Sequence, residues 1–228
     1  MTSTIQKKVA VIEAASNMEI GKLCKALDLP EMASDIFTLS DDEWQGKYPE
    51  EYIKLKSHIR NGERRTPLEL GANTVLGWIS EELTIKLLRR AKSIERIERN
   101  GSDQARHFDY MRHTQSVPDL LAYFKDDRPP QSIEVTECTC DYISRYHGQT
   151  LRLDKLKHLK FYNSLLVTID WHQGLIYFSQ ASKLQDSAPL TNYYNKPERF
   201  ARLEDENGNL MEGVKRIRIP RAIWNLGN

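Results

Sequence analysis

The sequence predicts a mixed α/β fold, a central sheet flanked by helices, with an N-terminal helical segment ahead of it. Three patterns lead there. Residues 1 to about 60 carry apolar side chains at helical spacing. A long amphipathic stretch runs from about Leu70 to Ala91. Short runs with period-two or near-continuous apolar patterning follow, interrupted by turn residues and one more helix.

Taken in order, Val9, Ile12, Ile20, Leu23 and Leu27 form the first apolar series, broken at Leu29-Pro30. Ser40-Asp41-Asp42-Glu43 predicts a helix start, a serine cap with a glutamate three residues later. Trp44, Tyr48, Tyr52, Ile53 and Leu55 supply apolar mass behind it. The polar run Arg60 to Pro67 reads as a joint between a helical region, 1–62, and an α/β core, 63–228. In the long helix, Leu76, Ile79, Leu83 and Leu87 repeat as one buried stripe, with Glu82 on its edge and Glu81 further round. Strands are expected at Ser93–Arg99, Ser116–Phe124 and Ser132–Glu137. Leu151–Tyr162 reads as a helix. Ser164–Trp171 is a near-continuous apolar run, which suits a strand covered on both faces, and Leu175–Phe178 is another. A C-terminal β-hairpin is expected, with Phe200–Glu204 and Val214–Ile219 flanking the Asn207-Gly208 turn.

Net charge is only +1, so any nucleic-acid reading must rest on local basic clusters. The three cysteines, Cys24, Cys138 and Cys140, have no framework spacing, which predicts reduced thiols and a cytoplasmic protein. Cys138 and Cys140 lack a second cysteine pair, so structural zinc is not expected. The N-terminal residues show no signal-peptide or membrane-spanning pattern. A Gly-rich phosphate loop and a serine nucleophile elbow are both missing from the sequence.

The chemistry concentrates at Pro118-Asp119 and at Glu134 on the following strand. Two short strands, each with one carboxylate among apolar neighbours, suit Mg²⁺, which needs only one or two carboxylates beside water and phosphate oxygens. Alternation puts Glu134 and Thr136 on one sheet face, with Ile133, Val135 and Glu137 on the other. A glutamate inside an apolar strand is costly without a partner, so Glu134 is expected to have one.

This order of elements, with Pro118-Asp119 opening one strand and Glu134-Val135-Thr136 on the next, resembles the PD-(D/E)xK nuclease superfamily over roughly residues 70 to 180. That superfamily includes many type II restriction endonucleases and the end-cleaving nucleases of some transposons. The resemblance implies a restriction-endonuclease-like core that hydrolyses phosphodiester bonds of double-stranded DNA with Mg²⁺, as a homodimer matched to a palindromic site. It implies that Asp119 and Glu134 bind the metal, joined by Glu82 from the preceding helix. Where the family carries a catalytic lysine, this chain has Thr136. Either Thr136 holds the attacking water, or Lys155 or Lys157 reaches in from the next helix, or the site is inactive. DNA contacts are expected from Arg64 and Arg65 in the joint, from Arg145 and Arg152, and from Lys215, Arg216 and Arg218 near the C-terminus. A sequence-specific type II restriction enzyme is the leading expectation. A transposon end-cleaving nuclease and a catalytically inactive DNA-binding or assembly protein are the alternatives.

Overall fold

Five short helices open the chain: α1 (Thr4–Ser16), α2 (Ile20–Ala26), α3 (Glu31–Asp35), α4 (Asp41–Lys47) and α5 (Pro49–His58). In the computed structural model, residues 4–59, 65–100, 104–108, 117–126, 128–185, 190–191 and 197–220 are described. The capping box at α4 forms in full: Ser40 N–H donates to Glu43 Oε2 at 2.9 Å and Glu43 N–H donates to Ser40 Oγ at 3.4 Å. The long helix α6 (Pro67–Leu88) starts with a second box, Thr66 and Glu69, ahead of the expected Leu70.

α6 is buried nearly all round rather than along one stripe. Leu70, Trp78 and Ile85 are covered as fully as Leu76, Ile79 and Leu83. The N-terminal helices pack on one side of it and the sheet on the other. Gly71 allows the close approach, because a Cβ there would lie 2.5 Å from Ile36 Cδ1 and 2.7 Å from Leu55 Cδ1. One core therefore runs from Ile12 and Trp44 through Ile79 to Ile133, Val167 and Ile219. The helical region and the α/β region share it, so the division expected near residue 62 is no break in packing.

After α6 come β1 (Ile94–Arg99), β2 (Leu120–Phe124), β3 (Gln131–Cys138), α7 (Tyr142–Tyr146), β4 (Gly148–Arg152), α8 (Leu153–Phe161), β5 (Leu165–Asp170), β6 (Leu175–Gln180), β7 (Leu190–Thr191), β8 (Pro197–Arg202) and β9 (Val214–Arg218). The main sheet has the order β1-β2-β3-β5-β6-β9. β3 and β5 are parallel and the other pairs antiparallel, so the sheet is mixed. A parallel pair needs a crossover. Here the crossover is α7, β4 and α8, and α8 packs through Leu156 and Leu159 on Leu166 of β5. The mixed α/β sheet flanked by helices is thus the architecture of the chain.

Two boundaries differ from expectation. The helix expected from Leu151 begins at Leu153, because Gly148–Arg152 is drawn into a second sheet, β4-β8-β7. The strands expected for the C-terminal hairpin do not pair with each other, and an isolated Glu204–Leu210 bridge closes the turn. That turn has Gly208 at φ +78, its N–H donating to Asp205 O at 3.0 Å. The flanking strands separate, however: β8 pairs with β4 and β9 with β6. Asn-Gly chemistry reverses the chain locally, but the open edges of β4 and β6 supply the ladder partners. No helix among the described residues is long and apolar enough to cross a membrane.

Candidate functional site

Pro118 and Asp119 lie just before β2, where a missing proline N–H costs no ladder bond. The β2–β3 register pairs Leu120 with Ile133, and one step further sets Asp119 opposite Glu134. Asp119 is fixed from both sides. Asn100 N–H donates to its carbonyl at 2.8 Å, and its Oδ2 accepts from Val135 N–H at 2.8 Å. Glu134 is 2% exposed and lines the same cleft as Asp119. Burial first, and then the Asp119 charge, hold the Glu134 carboxyl well above the usual carboxylate range, with Lys155 opposing.

Lys155 comes from the first turn of α8. Leu156 and Leu159 anchor that helix on Leu166, the β5 residue registered with Glu134. The docking lays the Lys155 ammonium on Glu134 Oε1. Burial alone would lower the Lys155 pKa, but the Glu134 and Asp119 charges raise it above its ordinary value. Lys157 is about 200° round the helix from Lys155 and is exposed, away from the site. The stripe formed by Leu156 and Leu159 is the signal that separates the two: Lys155 shares a helix face with Leu159, and Lys157 does not.

Thr136 sits in a closed polar triad. Its hydroxyl donates to Gln149 Oε1 at 2.9 Å, Gln149 Nε2 donates to Thr168 Oγ1 at 2.6 Å, and the two threonine oxygens are 3.1 Å apart. Its hydroxyl is engaged by Gln149, Thr168 and the Val167 carbonyl, so Thr136 joins β3 to β4 and β5.

Glu82 is drawn away from the site. Its Oε1 accepts from Arg99 Nε and from Arg106 Nη2, each at 2.7 Å. Burial pushes its carboxyl up, yet the two guanidiniums hold it below its usual value. A carboxylate so neutralised makes a poor cation ligand. The adjacent Glu81 shares Arg106, whose Nη2 lies 2.7 Å from its Oε2. Burial lifts it to about 7, Arg106 opposes that rise and Asp119 adds to it. Glu82, on the edge of the α6 stripe, is buried, and Glu81, further round, is less so.

A cleft of about 790 Å³ opens over Asp119, Glu134, Thr136, Gln149, Arg152 and Lys155. Lys8 of α1 and His158 of α8 also line it, and sequence patterning singled out neither. Among the described residues no three His, Cys, Asp or Glu side chains form a ready-made metal cluster. The Asp119–Glu134 pair still fits Mg²⁺ by its chemistry: two crowded acids face one ammonium, and such sites complete their shell from water and phosphate.

The basic residues distribute unevenly. Arg152 lines the cleft, with Asp154 at 3.3 Å. Arg145 is exposed and tied to Asp141. Arg65 borders a smaller cavity with Lys8 and Asn73. Arg216 is bound to buried Glu204, which also accepts from the Tyr177 hydroxyl at 2.9 Å, so it braces the sheet. Register places Arg216 in the row of Thr136, Thr168 and Tyr177 but Lys215 in that of Val135, Val167 and Phe178, on the opposite face. Arg218 shares the Arg216 face on the far edge strand, roughly 14 Å from β3. Arg64 lies outside the described residues.

No family model, curated protein or solved structure matches this chain.

Proposed function

We propose that this chain is a Mg²⁺-dependent nuclease that hydrolyses phosphodiester bonds of double-stranded DNA, in the manner of a type II restriction endonuclease of the PD-(D/E)xK kind. The supporting observation is the meeting of Asp119, Glu134 and Lys155 in one cleft. Two acids crowd each other in a buried place against a single ammonium, an arrangement that a bound cation relieves.

Asp119 and Glu134 would hold the metal, while the helix glutamates Glu81 and Glu82 are both engaged by Arg106. Bound there, Mg²⁺ supplies a water of lowered pKa and polarises the phosphate oxygens. Lys155 provides what Thr136 lacks, a positive charge at the site. It orients the attacking water and offsets the charge that develops on the phosphate. Gln149, fixed by Thr136 and Thr168, shapes the wall beside it. Arg152 and Lys8 border the cleft, where cations position a phosphate backbone. A two-fold dimer on a palindromic site belongs to the same reading.

The test is digestion of a plasmid library that samples every short sequence, in Mg²⁺, by wild type and by Asp119→Asn. Asparagine keeps an acceptor for Val135 N–H. Discrete fragments from the wild type alone support the proposal. Cleavage by both proteins, or by neither, defeats it.

A further inference from the structure

Leu156 and Leu159 of α8 are buried, but the two aromatic residues at its end are not. Phe161 is 81% exposed and Tyr162 55%. Their rings meet edge to face with centroids 4.9 Å apart, and the Tyr162 ring lies 4.6 Å from that of His158. His158 lines the cleft. At 3.6 residues per turn, Lys155, His158 and Tyr162 fall within an arc of about 60° on the helix. One continuous stripe thus starts at the Glu134 carboxylate and ends on an exposed aromatic pair.

The charge beside the stripe is one-sided. α8 carries Lys155, Lys157 and Lys160 against Asp154 alone. Single exposed aromatics are common on protein surfaces. Two in ring contact, continuous with a cleft and flanked by lysines, have the make-up of a stacking platform. Ring faces accept bases whatever their identity, and cations follow the backbone.

We propose that Phe161 and Tyr162 form a stacking site for an unpaired base of a DNA strand that leaves the cleft along α8. The chain then binds a duplex that carries a single-stranded tail more tightly than the same duplex without one, while the paired segment stays in the cleft. This rests on the nuclease reading of Asp119, Glu134 and Lys155, and it adds the structural class of the substrate.

The test uses the full chain with Ca²⁺ in place of Mg²⁺. A fluorescein-labelled duplex, and the same duplex with an oligothymidine tail, are titrated with wild type, with the double variant Phe161→Ala/Tyr162→Ala, and with Tyr162→Phe. Wild type should bind the tailed DNA more tightly. The double variant should lose about 10-fold of that preference, while Tyr162→Phe retains it. Equal wild-type affinity for the two DNAs, or a preference that survives the double substitution, overturns the stacking site. Mg²⁺-dependent cleavage by the wild type in the same preparations would then leave the nuclease reading standing. Wild type that neither binds nor cuts either DNA fails that reading itself. A wild-type dimer in sedimentation that the double variant dissociates makes the pair a contact between copies, and again overturns the proposal. The single variants Phe161→Ser and Tyr162→Ser serve if the double variant does not melt like the wild type.

Discussion

Glu82 and Glu134 are both buried, 5% and 2% exposed, yet their electrostatic settings are opposite. Two guanidiniums converge on one oxygen of Glu82 and keep it ionised. One ammonium and a second acid meet Glu134, and its carboxyl is pushed towards protonation. Burial is common to the two, so burial does not mark a cation site. The local balance of charge does. With a cation for every acid, a carboxylate fastens elements together, as Glu82 ties α6 to β1 and to Arg106. With anions in excess, a carboxylate is set to receive a cation.

The largest expected effect concerns the anion-rich side. Lys155→Met should lower Mg²⁺-dependent cleavage by about two orders of magnitude or more, the usual cost of removing one group aimed at developing charge. Lys157→Ala should change it less than about two-fold. Equal losses from the two variants would remove Lys155 from the site.

A stability measurement then sets the two glutamates against each other. Glu82→Gln leaves Arg99 without its Glu82 counter-charge and leaves Arg106 with Glu81 alone. Removing one member of a buried pair costs roughly 3–5 kcal/mol, and the 40% exposure of the Arg99 side chain puts this case near 3. That corresponds to a fall in Tm of roughly 10 °C. Glu134→Gln removes the crowded acid and, without divalent cation, should leave stability unchanged or about 1 kcal/mol greater, a Tm rise of roughly 3 °C at most. Similar falls for both variants would break the comparison.

The smallest effect is a dependence on pH. Glu81 has a folded-state pKa of about 7 against an ordinary 4.5, and Glu134 is raised as well. For an acid raised on folding, the protonated form is favoured in the native state. Its stabilisation is complete below the unfolded value and is lost as pH rises through the folded one. In chelator, Tm should therefore decline between about pH 4.5 and 7. Added Mg²⁺ should flatten the decline by taking the place of the proton beside Asp119. Glu82 has the other sign: its contribution is present above about 4.5 and is lost as pH falls through its depressed value. A profile insensitive to Mg²⁺ would count against cation binding at Asp119 and Glu134.

Local patterns determined much of this protein. Ser40 with Glu43 announced a helix, alternation put Glu134 and Thr136 on one strand face, and Pro118-Asp119 marked the opening of the neighbouring strand. Each depends on contacts a few residues apart, which the order of side chains specifies. Tertiary structure decided the rest. Lys155 rather than Lys157 meets Glu134 because Leu156 and Leu159 dock α8 on Leu166. Glu82 is held away from Asp119 because Arg99 and Arg106, distant in sequence, capture it. The strands beside Asn207-Gly208 part company because better partners wait in two sheets. In every such case several residues of the right type compete, and the choice falls to packing and charge between segments that are far apart along the chain.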